Sequence, residues 1–316
     1  MTSSPATTSS KTLVDTLSTT VVGRRREVEL VVAALAAGRH VLLEGPPGTG
    51  KSTLLRALSD ANDIGFELVE GNAELTPARL VGHFDPARVL ADGYSPDVFV
   101  DGPLTAALRS GALLYIEELN RVPEETLNVL VTVMSEGEIT VPRLGTIAAA
   151  PTFRLVAAMN PFDAVGTARI SAAVYDRLCR LAVDYQSAEE ERAITQRESG
   201  ATNNDLVAKA VEVVRRTRTH HDIRIGSSVR GAIDLCALVG TLADVRDGDQ
   251  ADPAVTLDAA LFALSSRIKV REGSDRTPEH VIEEIWAEVF NPAPAPDEGD
   301  LDVDPGKATA PEGPKS

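Results

Sequence analysis

The chain has 316 residues, 43% of them hydrophobic, enough for two domains and a sizeable core. Its 47 acidic against 31 basic residues give a formal net charge of −16, a surface that repels phosphate backbones and argues against broad nucleic-acid binding. The opening MTSSPATTSSK has no apolar core of a signal peptide, and no apolar run approaches the ~20 residues that span a bilayer, so a soluble, cytoplasmic protein is expected.

In chain order, residues 1–17 are rich in Ser and Thr and read as a loose segment. Residues 21–38 carry apolar positions at helical spacing and close on Gly38. The arginine run Arg24, Arg25 and Arg26 reads as a solvated helix start. HVLLEG (40–45) is an apolar strand, GPPGTGKS (45–52) follows, and TLLRAL (53–58) is helical. FELVEG (66–71) is a second strand. Residues 72–103 hold many turn formers and read as irregular, and residues 103–111 form a short helix ended by glycine. ALLYIEELN (112–120) is a buried strand ending in acids, and 122–137 is a strong amphipathic helix. Residues 138–152 read as a hairpin, 153–160 as a strand, AAVYDRLCR (172–180) as a helix and LAVDY (181–185) as a last strand.

From Ala188 to Phe290 the periodicity is helical, with no clear strand. The Pro-rich, acidic end buries too little surface to order itself. The expected domains are therefore 1–17 flexible, 18–187 nucleotide-binding, 188–290 helical and 291–316 disordered. Alternating strands and helices in 18–187 imply a three-layer αβα domain around a parallel sheet. Cys179 and Cys236 lack C-x-x-C spacing and are expected as two reduced, packed thiols. The histidines (His40, His83, His220, His221, His280) show no metal-ligand spacing, and the adjacent His220 and His221 are expected on different helix faces.

GPPGTGKS satisfies the phosphate-loop pattern G-x-x-x-x-G-K-[ST], in the strand–loop–helix context it requires. Gly45, Gly48 and Gly50 permit backbone geometry that turns N–H groups inward onto a phosphate. Pro46, Pro47, Thr49 and Thr53 complete the cradle. Lys51 is expected to reach the β- and γ-phosphates of ATP, and the Ser52 hydroxyl to ligate Mg²⁺. The strand at 112–120 supplies the acids that hydrolysis needs. Alternation sends Glu117 and Glu118 to opposite faces; Glu117 is assigned to the Mg²⁺ shell and Glu118 to polarising the attacking water. Asn160, at the end of the next strand, is placed to hold that water or touch the γ-phosphate.

The succession GPPGTGKS, LLYIEELNRVPEETLNVLVTVMSEGEI, LVAAMNPFDAVGTARISAAVYDRL and GSSVRGAIDL resembles AAA+ ATPases, most closely the MoxR group, relatives of the magnesium-chelatase ATPase subunit. The resemblance covers about residues 20–290. It implies an αβα core followed by a small all-helical lid, with nucleotide at a subunit interface of a ring, usually a hexamer. It makes Asn160 the first sensor and Arg230, in GSSVR, the second, on a helix capped by Ser227 or Ser228. It places an arginine finger at Arg177 of the Asp176-Arg177 pair, with Arg169 and Arg180 as competitors; an arginine stays charged and spreads several donors over phosphate oxygens. Val22 and Gly23 match the family's adenine-side segment. Residues 85–102 and 138–150 match an insert and a hairpin that face the pore or a partner. One departure is Glu117 where the family usually has Asp, one methylene shorter.

The function implied is ATP hydrolysis in a ring that remodels or activates a partner, plausibly a von Willebrand A domain protein. The alternatives are a nucleotide-dependent assembly switch with little hydrolysis, a chelatase-like metal-insertion subunit and a DNA-directed motor, the last disfavoured by the −16 charge.

Overall fold

The computed structural model describes residues 9–62, 64–161 and 170–291. It opens on α1 (Ser10–Thr20), where Ser9 accepts a hydrogen bond from the Thr12 amide at 3.2 Å. Leu13 and Leu17, one turn apart, are buried. The expectation of a loose segment through residue 17 is therefore wrong from Ser10 onward: the Ser/Thr-rich composition conceals an i, i+4 apolar pair. Helix α2 (Arg25–Ala36), β1 (His40–Glu44), α3 (Lys51–Asn62) and β2 (Phe66–Glu70) follow. The stretch expected to be irregular contains α4 (Pro77–Val81), β3 (Gly82–Phe84), α5 (Pro86–Asp92) and β4 (Phe99–Asp101), with β3 and β4 antiparallel. Thr76 and Asp85 cap the two short helices, each starting on proline.

Next come α6 (Pro103–Ser110), β5 (Leu113–Glu117), α7 (Glu124–Glu136), the antiparallel pair β6 (Glu138–Val141) and β7 (Gly145–Ala148), and β8 (Arg154–Met159). The helix expected over 172–180 is a single turn, α8 (Ala172–Tyr175), and the last strand, β9 (Leu178–Ala182), begins three residues earlier than expected. Its pairing with β1, from His40 opposite Leu178 to Glu44 opposite Ala182, overrides the local helical pattern.

The central sheet has the order β2-β5-β8-β1-β9, all parallel. Alternation divides its side chains between two cores. Leu42, Leu114, Ile116, Leu155 and Ala157 face the α6–α7 side, while Val41, Leu43, Leu113, Tyr115 and Val156 face α1, α2 and α3. The order brings the carboxyl ends of β1, β5 and β8 side by side, which is where open α/β sheets bind ligands.

A helical unit follows, with α9 (Ala188–Ser199), α10 (Asn204–Thr219), α11 (Val229–Val245), α12 (Pro253–Leu264) and α13 (Pro278–Phe290); α10 to α13 build a separate core that includes Val213, Leu235, Val239, Leu264 and Ile282. This unit also holds two short antiparallel strands, β10 (Ile223–Ile225) and β11 (Lys269–Val270), where no strand was expected; three and two residues are too few to show a period.

Three smaller expectations are corrected. Cys179, on the edge strand β9, is exposed rather than packed; Cys236 is buried, and burial pushes its thiol up to about 12. His220 is the cap at the end of α10 and His221 lies beyond it, so they do not occupy helix faces; their rings stack at 4.4 Å. Ligand atoms of His220, His221 and Asp222 lie within 4.8 Å of one another. They already have protein partners: Asp222 donates its amide to His220 Nδ1 at 3.2 Å, and Arg276 bonds Asp222 and Glu284. Among the described residues no helix is long and apolar enough to cross a membrane.

Candidate functional site

The cleft at the carboxyl ends of β1, β5 and β8 gathers groups from four places in the chain. Pro47, Gly48, Thr49, Gly50, Lys51, Ser52 and Thr53 line it from the loop between β1 and α3. Glu117 and Glu118 reach it from the end of β5, Asn160 from the end of β8, and Arg230 from the first turn of α11. These residues run from position 47 to position 230, and the parallel sheet together with the helical unit brings them together.

The loop is shaped by backbone. Gly48 and Gly50 adopt φ of +72° and +82°, values that a side chain resists. Lys51 folds across the loop, its Nζ donating to the carbonyls of Gly45 at 3.0 Å and Pro46 at 2.8 Å. Burial lowers its pKa to about 8; Glu118 and Glu117 oppose that shift, while Arg24 and Arg230 add to it. Gly45 and Pro46 therefore lie beneath the cleft and hold Lys51 without lining it.

Ser52 donates from Oγ to Glu117 Oε1 and lies 3.3 Å from the Tyr115 hydroxyl. Tyr115 was not anticipated from sequence. It sits two residues before Glu117, so alternation puts both side chains on the same face; that rule was the available signal. Burial raises the phenol well above its ordinary value. Glu118 follows with φ 50° and ψ 46°, a left-handed backbone that a non-glycine residue adopts at a cost of about 1–2 kcal/mol. The turn aims its carboxylate into the cleft. Oε2 is buried, lies 3.5 Å from Arg121 Nε at ion-pair distance, and accepts no hydrogen bond.

The remaining expected residues lie elsewhere. Val22 and Gly23 precede α2 and do not line the cleft. Arg177, at the turn between α8 and β9, bonds Ser135 Oγ and donates to the Ala173 carbonyl at 2.8 Å. Arg180 pairs with Glu44, and Arg169 lies outside the described residues. Ser228 is the residue before α11 but its side chain makes no cap hydrogen bond. It instead packs on Gly48, where a Cβ would collide with it. Arg24, expected in solvent, is 4% exposed and donates to the Thr49 carbonyl at 3.0 Å.

Glycine-shaped amides, a lysine and a hydroxyl beside two carboxylates suit a nucleotide triphosphate with a divalent cation; Ser52 and Glu117 are the donors available to the metal. The fold and this cleft define a phosphate-loop NTPase. Residues 40–178 match the AAA domain of the dynein-related subfamily. An uncharacterized protein of Staphylococcus aureus strain USA300 is 33% identical over 207 residues, 64% of this chain and 78% of that one. Among solved structures, a Cytophaga hutchinsonii protein provisionally described as an ATPase aligns with a TM-score of 0.50 at 21% identity, over 88% of this chain and 93% of the other. The Thermotoga maritima RuvB Holliday junction branch migration motor aligns at 0.52 and 18% identity, over 77% and 70%. At such identities the likeness concerns the fold. The chain belongs to the AAA+ ATPases.

Proposed function

We propose that this chain is a MoxR-type AAA+ ATPase that hydrolyses ATP with Mg²⁺ in a ring of identical subunits and uses the cycle to remodel or activate a partner protein, a von Willebrand A domain protein being the partner class implied. The observation that carries the reading is the convergence of Lys51, Glu118, Asn160 and Arg230 on one cleft.

Each residue has a task that its position supports. The amides of Gly48 to Ser52 and the Lys51 ammonium bind the phosphates. Ser52 and Glu117 hold the metal, which when bound draws charge from the phosphate oxygens. Glu118 takes the proton of the attacking water, with Asn160 orienting that water. Arg230 neutralises charge from the helical side. Arg177 lies outside its own subunit's cleft, which supports a role on a neighbour's nucleotide. Val22 and Gly23 pack at the adenine side.

Glu118→Gln should bind ATP and lower turnover by about 10²-fold or more. Phosphate release per subunit should also rise with protein concentration, because a trans-acting arginine requires assembly. Normal turnover by the variant contradicts the assignment of Glu118, and a rate independent of concentration contradicts the shared site.

One observation favours a second reading. Ser52 and Glu117 are bonded directly to each other, so each already has a protein partner where the first reading needs both to hold a metal. On that reading ATP is an assembly ligand with little hydrolysis, and the same concentration series shows assembly without phosphate release.

A further inference from the structure

Between β9 and α9 the chain runs along the underside of the phosphate loop. Val183 donates its amide to the Glu44 carbonyl at 2.7 Å. Its own carbonyl lies so close to Gly45 that a Cβ there would collide with it. Gln186, also buried, lies beside Gly50. Residues 183–187 are thus both the floor of the loop and the connection to the helical unit that carries Arg230.

A third segment fastens these two together. Arg24 Nη2 donates to the Thr49 carbonyl at 3.0 Å and also to the Asp184 carbonyl. Nη1 pairs with Glu27 at 3.1 Å. A buried guanidinium is costly unless its charge is matched; Glu27 matches the charge at Nη1, and the two carbonyls, one on each segment, both accept from Nη2, while Nε has no hydrogen-bond partner. The adjoining Gly23 is pressed by the Glu190 carboxylate from the first turn of α9. The Arg197 guanidinium of α9 also donates to the Thr20 carbonyl at 2.9 Å. The segment before α2 therefore grips the loop, the connection and the first helix beyond it.

We infer that Arg24 is a positioning residue that couples the phosphate loop to the sheet-to-helix connection, so that nucleotide in the loop fixes the helical unit carrying Arg230. It does not line the cleft itself. Coupling of this kind is reciprocal: whatever moves the connection also changes nucleotide affinity. The inference rests on the loop being the nucleotide site. Lysine cannot serve in place of Arg24, because one ammonium on a flexible stem lacks the rigid plane that sets Nη2 on the two carbonyls and Nη1 on Glu27 at once.

The test combines hydrogen exchange with ligand binding. In the wild-type protein, Mg·ATP should slow exchange at the amides of 183–187 together with those of the loop. In Arg24→Lys the loop should still respond while 183–187 does not, and the dissociation constant for a fluorescent ATP analogue should rise about tenfold. The rise in unfolding temperature on adding ATP should shrink; an arginine with only a structural role would lower that temperature equally with and without ATP. Should the variant fail to fold, the wild-type exchange experiment decides alone. ATP binding that leaves 183–187 unaffected overturns the coupling, as does an Arg24→Lys protein with wild-type affinity and wild-type exchange at the connection. A wild-type chain that binds no ATP overturns the site assignment and the coupling with it.

Discussion

The Ser52 hydroxyl donates straight to the Glu117 carboxylate, with the Tyr115 hydroxyl 3.3 Å from the same Ser52 oxygen. The contact uses the full reach of the Glu117 side chain, one methylene longer than an aspartate. Glu117→Asp withdraws the carboxylate by about 1.5 Å, one carbon–carbon bond, and opens room between it and Ser52. Turnover should rise by about two- to tenfold, and half-activation should need less Mg²⁺. Phosphate release across a Mg²⁺ titration measures both, and an unchanged or weaker metal dependence contradicts the reasoning.

Arg177 and Arg180 should behave oppositely on substitution. Arg180 pairs with Glu44, a carboxylate only 4% exposed that the Tyr175 hydroxyl also reaches at 3.3 Å. Arg180→Ala strands that carboxylate, and chemical unfolding should register a loss of about 2 kcal/mol. Arg177→Ala should leave the fold and ATP binding intact while lowering turnover by about 10³-fold. Mixing it with Lys51→Ala subunits should restore some activity, since each supplies what the other lacks. No recovery on mixing excludes Arg177 as the finger.

Lys51 gives ATP binding a pH dependence. Burial holds its pKa down to about 8, so the ammonium that pairs with phosphate is present below that value and is lost as pH rises through it. Affinity for Mg·ATP should therefore weaken between about pH 7.5 and 9. Lys51→Arg, which keeps its charge throughout, should flatten the curve whatever its absolute affinity. Calorimetry at several pH values would show this, and a wild-type affinity constant to pH 9 argues against it.

His40 gives stability a pH dependence of the opposite sign, at the acid end. Burial, then the nearby Arg154 guanidinium, lowers its pKa from 6.5 to about 4, and its Nδ1 accepts the Leu155 amide at 2.9 Å. Above pH 6.5 the ring is neutral folded and unfolded alike, so it contributes no pH dependence. Below 6.5 the unfolded chain takes up the proton first, so stability falls as pH drops from 6.5 to 4, by on the order of 2–3 kcal/mol. His40→Asn should remove that slope from urea unfolding midpoints measured across the window; an unaltered slope assigns it to other groups.

Glycine spacing encodes the phosphate loop locally. The turn, its amides and the adjacent lysine lie within eight residues, and no distant contact is needed to specify them. The same holds for the strands that alternate cleanly and for the β6–β7 pair, whose turn follows from its glycine. Alternation did not place Glu118, which lies past the end of β5 in a left-handed turn and faces the same cleft as Glu117. Composition misled where a property depends on distant partners. Arg24 lies in a run of three arginines that looks solvated, yet the Thr49 and Asp184 carbonyls that bury it come from 25 and 160 residues away. The strand at Leu178 is set by pairing with β1, against a helical pattern of its own. The two short strands of the helical unit exist only because each pairs with the other. What the chain states in short range is the chemistry it carries; which side chains meet, and which charges leave water, is decided by the folded sheet, because burial and pairing energies depend on neighbours that sequence spacing does not reveal.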